Sequence, residues 1–220
     1  MTVNLQEIKN NKLINDFIKA ADDYLGVLGY TEHGLRHVTF VSDTSKYILE
    51  QLGYDQRTCE LAAISGYIHD IGNVINRKEH GQSSAVIAME LLDNLGLPAE
   101  EIAKIISAIG NHEEEVGEPV NEVSAALILA DKSDVHKNRV RNPKMISFDI
   151  HDRVNYAVEK SLVEVFPDKK IISVKLSIDT TISQIIEYFE IFMPRIVICR
   201  RAANYFGCNY ELVINGQKVL

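Results

Sequence analysis

Six successive segments repeat apolar residues at helical spacing, and this pattern limits the possible folds more than any other feature of the sequence. The segments lie between residues 13 and 136 and end at or near turn-forming residues such as Gly29, Gly53 and Gly96. They predict helices over residues 13–28, 34–52, 56–70, 79–95, 98–112 and 122–136. Asp55 and Asn121 have the side chains of N-caps for the third and sixth helices.

The pattern changes after Pro143. The segments SLVEVF (161–166) and KIISVKLSID (170–179) are rich in β-branched residues and predict a hairpin. A helix over 181–206 and a strand over 209–216 complete this part of the chain. The sequence therefore predicts a mainly α protein with a helical domain over 1–142 and a small C-terminal α+β extension over 143–220, packed on the core.

Composition limits the class of protein. A net charge of −8 over 220 residues argues against broad nucleic-acid binding, although a few local cations can bind a small phosphorylated ligand. Cys59, Cys199 and Cys208 are widely spaced and predict neither a disulfide framework nor a CxxC zinc site, which favours a reducing compartment. Neither a signal peptide nor a membrane span is expected, so the predicted location is cytoplasmic.

Histidines and aspartates gather at the predicted helix ends and core-side faces: His33, His37, His69, Asp70, His80, His112 and Asp131. In an up-and-down bundle these ends can converge. Histidine and carboxylate without cysteine suit Zn, Mn, Fe, Co or Ni. Asp131 follows an apolar run and is costly to bury unless it is paired or bound to a metal. An ion pair with Lys132 is disfavoured because neighbouring side chains diverge on a helix.

This order of residues resembles a known family. His37, the pair His69-Asp70 in HDIG, and Asp131 in ALILADKSD are similar to the H…HD…D signature of the HD-domain superfamily of metal-dependent phosphohydrolases. The resemblance covers roughly residues 30–140 and implies an HD-domain helical bundle. His80 and His112 resemble the additional histidines of two-metal members. Asn111 replaces a histidine of the HD-GYP phosphodiesterases, and the GYP sequence is absent, so cyclic-di-GMP is a poor substrate candidate.

The resemblance implies a metal site and an activity. One or two divalent transition metal ions (Fe, Mn, Ni, Co or Zn) would bind at His37, His69, Asp70, His80, His112 and Asp131. Asp70 could give one carboxylate oxygen to each of two ions, which would activate a hydroxide for attack at phosphorus. The predicted function is hydrolysis of a phosphomonoester or phosphodiester, with a nucleotide as the favoured substrate.

Three cations are candidates for substrate binding. Arg77, Lys132 and Arg139 lie close to the motifs in sequence, and arginine suits bidentate contacts to phosphate. Arg77 and Lys132 are also predicted to act in catalysis together with Asp70. Gly72 is expected to let the chain turn after the motif and return Arg77 and His80 to the same site.

Several assignments stay open in the sequence. His33 lies four residues before His37 and either contacts the metal ligands without binding the metal itself or is a surface residue. The Glu of a zincin HExxH motif is missing. Glu113 is either a base beside His112 or, as we favour, a solvated carboxylate. Structural roles are expected for His151, Cys199, Arg200 and Arg201. A regulatory module that senses a nucleotide or a metal, a di-iron oxygenase of the same superfamily, and a homo-oligomer all remain possible.

Overall fold

The computed structural model of the chain describes residues 3–147 and 149–220. The α-helices in these residues are α1 Leu5–Asn10, α2 Lys12–Val27, α3 Leu35–Gln51, α4 Gln56–Ile68, α5 His80–Asn94, α6 Ala99–Gly110, α7 Glu122–Ser133, α8 Ile150–Ala157 and α9 Ile185–Tyr205. The strands are β1 Val158–Phe166, β2 Ile171–Ile178, β3 Asn209–Ile214 and β4 Gln217–Lys218. This architecture confirms the predicted fold class, mainly α with a small C-terminal α+β extension.

Helices α4 and α7 lie at the centre of the bundle. Every residue of α7 after Glu122 is buried, and in α4 the stretch from Leu61 to Ile68 is buried on all sides. A helix that is apolar around its whole circumference must be enclosed by other elements. The N-caps predicted for these two helices are confirmed, because Asp55 accepts from the amides of Arg57 and Thr58, and Asn121 accepts from that of Ser124.

The C-terminal part forms a four-stranded sheet and two further helices. The strands are in the order β1-β2-β3-β4, and β1 pairs with β2 as the predicted antiparallel hairpin. Strand β3 is parallel to β2, so α9 is the crossover between them. Helix α9 packs against α7, and β1 contacts α3 and α7. The buried apolar side chains of both parts form one continuous core from Val3 to Ile214.

Two helices were absent from the sequence-based prediction, α1 and α8. Both begin at polar N-caps, Asn4 and Asp149. They have six and eight residues, too few for a helical period to be evident. The third predicted helix ends at Ile68 rather than at residue 70, and a short 3₁₀ turn, Ile71–Val74, follows it. Over the residues that the structure describes, no helix combines the length and apolar character required to span a bilayer.

Candidate metal centre

Five helices bring the predicted ligands to one end of the bundle. His37 lies in the first turn of α3, His69 caps the C-terminus of α4, and His80 opens α5. His112 lies just beyond α6, and Asp131 lies in the last turn of α7. Asp70 lies between α4 and the 3₁₀ turn that follows it. All six side chains are buried.

The four imidazoles point their Nε2 atoms towards one another. Nε2 of His37 lies 3.3 Å from Nε2 of His69, and Nε2 of His80 lies 3.2 Å from Nε2 of His112. Two nitrogens that bind one ion at about 2.1 Å are about 3.0–3.4 Å apart when the geometry is octahedral or tetrahedral. Both separations therefore match those of ligands that share a metal ion.

The other ring nitrogen of each histidine has a fixed acceptor. Nδ1 of His37 donates to Oδ2 of Asp134 at 2.7 Å, and Nδ1 of His69 donates to the Gly66 carbonyl at 2.9 Å. The Nδ1 atoms of His80 and His112 donate to the carbonyls of Arg77 and Ile109, at 3.0 and 2.6 Å. With the proton on Nδ1, each Nε2 keeps a lone pair for a metal. Without a proton or a cation, these facing lone pairs would repel.

Asp70 joins the two pairs of histidines. Its Oδ2 lies 3.6 Å from Nε2 of His37 and 3.5 Å from Nε2 of His69. Its Oδ1 lies 3.1 Å from Nε2 of His80 and 3.8 Å from Nε2 of His112. Oδ1 of Asp131 lies 3.4 Å from Nε2 of His37 and so completes the first group. Three triads of these residues have donor atoms within 4.8 Å of one another, and each triad could hold an ion.

The protonation of His80 and His112 differs when no cation is present. Burial alone would lower the pKa of His80, but hydrogen bonds to Asp70 and Glu113 outweigh it and raise that pKa to about 9. Burial and the charge of His80 together lower the pKa of His112 to about 3. A proton on His80 therefore balances Asp70 in the absence of an ion.

The ion pair of Asp131 with Lys132, which the sequence disfavoured, forms in the structure. Nζ of Lys132 lies 2.7 Å from Oδ2 of Asp131, and Lys132 also contacts Glu114 at 3.3 Å. The flexible four-carbon stem of lysine allows this ion pair, although the Cα–Cβ vectors of neighbouring helix residues diverge. Glu114 is in turn 3.0 Å from Nε of Arg195 on α9. Lys132 thus holds the oxygen of Asp131 that does not face the histidines.

Asp134 is a site residue that sequence reasoning missed. Besides accepting from His37, it binds the guanidinium of Arg36 through two hydrogen bonds of 3.1 and 2.7 Å. Arg139, predicted to bind substrate, is buried and donates through Nη1 to the Asp134 carbonyl at 2.7 Å. The available signal was the spacing of Asp131 and Asp134, which places two acids about one helical turn apart.

A cleft of about 290 Å³ lies beside the cluster. It is lined by residues of the helical core, among them Tyr30, His33, Arg77 and Arg139, and by residues of α8 and α9. Nη1 of Arg77 lies 3.3 Å from Nε2 of His80, and its guanidinium lies over the Tyr30 ring. The structure therefore places Arg77 and Arg139 in the cleft, whereas Lys132 is buried next to Asp131.

Three further expectations are resolved by the structure. His33 is buried, with its ring centroid 5.4 Å from that of His37, so the surface assignment is wrong. Glu113 contacts Nδ1 of His80 at 3.3 Å and accepts from the Gly81 amide, so the solvated assignment is also wrong. Gly72 is required for close packing rather than for a turn: a Cβ there would lie 2.3 Å from the Ser84 amide nitrogen.

Comparison with known proteins finds one family model and two similar proteins. The sequence model of the family described as HD domain matches residues 34–137. An uncharacterized protein of Methanocaldococcus jannaschii, MJ1020, is 28% identical over 205 residues, which cover 82% of this chain and 79% of that protein. A crystal structure of a predicted HD superfamily hydrolase from an uncultured Thermotogales bacterium is 23% identical, with a TM-score of 0.47 over 61% of this chain and 75% of that one.

The matched segment begins just before His37 and ends after Asp131, and so includes all six candidate ligands. Residues 34–137 of the chain are therefore similar to an HD domain.

Proposed function

We propose that the chain is a metal-dependent phosphohydrolase that cleaves a phosphate ester, with a nucleotide as the favoured substrate. The observation that carries the proposal is the orientation of the four histidines. Each presents Nε2 to another imidazole at metal-ligand spacing, while each Nδ1 is occupied. Buried imidazoles arranged in this way are stable when a cation lies between them.

Two ions are proposed to share the centre. His37, His69 and Asp131 would hold one, His80 and His112 would hold the other, and Asp70 would give one oxygen to each. At such a centre, divalent ions lower the pKa of water and place positive charge beside phosphorus.

Residues around the centre would orient the substrate. Arg77 lies between the cleft and His80, where a guanidinium can hold a phosphate by two hydrogen bonds. Arg139 and Arg195 add positive charge to the same cleft. Lys132 would fix the rotamer of Asp131 rather than contact the phosphate, since it is buried in ion pairs with Asp131 and Glu114. Thus Asp70 and Arg77 keep proposed direct roles, and Lys132 becomes a positioning residue.

The test is metal-dependent turnover. The full chain would be stripped with a chelator, reconstituted with Mn, Fe, Co, Ni or Zn, and assayed for phosphate release from nucleoside monophosphates and cyclic nucleotides. Asp70→Ala should lose bound metal and turnover together. Asp43→Ala is a matched control on exposed α3 surface and should keep both. Phosphate release by metal-free Asp70→Ala protein would refute the proposal.

The number of ions is measured separately. Elemental analysis should find two ions per chain in the reconstituted protein and one in His80→Ala. A single ion in the unaltered chain would refute the dinuclear assignment while leaving the hydrolase assignment intact.

A further inference from the structure

The side of the cleft formed by α8 carries an unusual acceptor. Nδ2 of Asn155 donates to the His151 carbonyl at 2.8 Å, which fixes the orientation of the amide. Its Oδ1 is buried and has no hydrogen-bond partner among the described residues. Asn155 is only 4% exposed and lines the cleft. An unpaired buried acceptor destabilises the fold, so this oxygen is suited to accept from a ligand.

A second acceptor lies one turn away on the same helix. Asp152 precedes Asn155 by three residues, so the two side chains share a face of α8, and both line the cleft. Asp152 forms no ion pair within 4.0 Å in the described part of the chain. Burial and the nearby charge of Asp149 raise the pKa of its carboxyl, so a hydrogen-bond donor would stabilise the ionised form.

Cations complete the cleft. Arg77 and Arg139 come from the helical core, and Arg195 comes from α9, where its guanidinium lies 4.3 Å from the centroid of the Phe192 ring. Arg195 pairs with Glu114 at 3.0 Å and Arg139 lies 3.8 Å from Oδ2 of Asp134, so acids outside the cleft balance these two charges. Arg77 forms no ion pair within 4.0 Å among the described residues and is the guanidinium that can hold an anionic group. A ligand that suits the cleft has an anionic group for Arg77 and neutral hydrogen-bond donors for the acceptors of α8.

The volume of the cleft narrows the class of ligand. About 290 Å³ lies just below the usual range for ligand pockets, about 300–1,000 Å³. A phosphate joined to a compact polyol fits both the size and the distribution of donors and acceptors. Hydroxyl groups are neutral and can donate to both Oδ1 of Asn155 and the carboxylate of Asp152.

We propose that α8 forms a subsite for the hydroxyl groups of a sugar phosphate, with Asn155 and Asp152 as specificity-determining residues. This inference rests on the proposed phosphohydrolase function and narrows its substrate to esters whose alcohol part is a sugar. Nucleotides belong to this class through their ribose. A site built to accept hydrogen bonds from hydroxyl groups discriminates strongly against analogues that lack them, because the acceptors then stay unpaired.

The experiment compares two esters in the metal-reconstituted full chain. Ribose 5-phosphate carries hydroxyl groups and no base, whereas phenyl phosphate carries neither. The ratio of their kcat/KM values should fall about 10–100-fold in Asn155→Leu and about 10-fold in Asp152→Asn, mainly through the KM for ribose 5-phosphate. Asp152→Asn keeps the shape of a partly exposed residue, so it can test the subsite alone if Asn155→Leu fails to fold.

Ser45→Ala is the matched control. Ser45 also has a buried oxygen without a hydrogen-bond partner in the described part of the chain, but it is not among the residues that line the cleft. The ratio should stay within about twofold of its original value in this variant. An unchanged ratio in both α8 variants, with turnover of phenyl phosphate retained, would overturn the subsite and leave the proposed function standing.

A binding measurement separates the two proposals if neither ester is hydrolysed. The subsite then requires ribose 5-phosphate to raise the Tm of the metal-loaded chain more than phenyl phosphate does, and Asn155→Leu or Asp152→Asn to remove that difference. Equal shifts with both esters would overturn it. If a nucleotide raises the Tm more than phenyl phosphate does but ribose 5-phosphate does not, Asn155 and Asp152 bind the base rather than the sugar. That result would overturn the sugar assignment.

Discussion

The hydrogen-bond acceptors of the four Nδ1 atoms in the cluster are not equivalent. Three of the four are backbone carbonyls, from Gly66, Arg77 and Ile109. His37 donates to a carboxylate, that of Asp134, at 2.7 Å, and Nδ1 of His80 also lies 3.3 Å from the carboxylate of Glu113. A carboxylate increases the basicity of the ring it accepts from, so His37, which has the shorter contact, should be a stronger electron donor than His69 and His112.

Asp134→Asn tests this contact. The amide can keep the shape of the carboxylate but loses its charge, so we expect metal affinity to fall about 10–100-fold. Competition titration with a chelating dye would measure it, with Asp43→Asn as a control on exposed α3 surface. Circular dichroism would verify that the variant is folded, because Arg36 loses one of its two ionic partners and keeps only Glu32. Equal affinities in the two variants would show that Asp134 does not support the metal.

The position of the start of α5 depends on how closely the chain segment after His69 and Asp70 packs against it. A Cβ on Gly72 would lie 2.3 Å from the Ser84 amide nitrogen and 2.5 Å from the His80 carbonyl oxygen. Both are backbone atoms, which cannot move out of the way as the end of a flexible side chain can. The glycine therefore sets the distance between Asp70 and His80.

We expect Gly72→Ala to destabilise the fold by about 3 kcal/mol and to reduce the metal bound through His80. Urea unfolding and elemental analysis would measure the two effects. Gly110→Ala is the control for stability, because a Cβ there would have its nearest neighbour 3.8 Å away. An alanine at position 72 that leaves stability and metal content unchanged would contradict the packing argument.

The beginning of α9 is held by a carboxylate that several donors share. Glu187 completes a capping box with Gln184 and accepts from Ser183 at 2.7 Å and from Nε of Arg153 on α8 at 3.0 Å. Hydrogen bonds from Arg153 and Ser183 lower the pKa of Glu187 to about 2. This residue thus links the two helices of the extension that line the cleft.

The lowered pKa predicts a pH dependence. Glu187 stabilises the fold fully above the pKa of the unfolded chain, 4.5, and this contribution is lost as the pH falls towards about 2. Glu187→Gln should therefore be less stable than the unaltered chain at pH 7, and the difference should narrow below pH 4.5. Urea unfolding at several pH values would measure it, with Glu90→Gln on exposed α5 surface as control. A difference that is constant with pH would contradict the assignment.

The helical core and the extension share both a hydrophobic core and a polar network. Helix α9 covers α7, which is buried along nearly its whole length. Glu114 connects Lys132 at the end of α7 to Arg195 on α9. The predicted division at residue 142 therefore falls within one packing unit, although the HD family match ends at residue 137.

Truncation after residue 142 tests this dependence. Removal of α9 and the sheet would expose the apolar side of α7 and leave Glu114 without Arg195. We expect the 1–142 fragment to lack a cooperative thermal transition, whereas the full chain should show one. Differential scanning calorimetry would measure both, and binding of a hydrophobic dye would report the exposed surface. A cooperative transition in the fragment would show that the helical part folds independently.

The long helices and the candidate ligands were accessible from the sequence because each depends on local pattern. Helical period defines α3 to α7, and the order of histidines and aspartates marks the helix ends. The ion pair of Asp131 and Lys132 could not be predicted from the sequence. It depends on the reach of the flexible lysine side chain rather than on the direction of its Cα–Cβ bond. The cleft could not be predicted from the sequence either, because Asn155 and Arg195 line it only through the packing of α8 and α9.

All six candidate ligands precede residue 135, whereas α8 and α9, which line much of the cleft, follow residue 149. Substitutions can therefore accumulate at different rates in the segment that holds the candidate ligands and in α8 and α9. Substitutions on α8 or α9 can change which ligand the cleft admits while the candidate metal ligands stay intact. Chains with the same H…HD…D residues and different tails should then differ in ligand more than in metal binding, which makes the tail the region to compare when such chains are sorted by specificity.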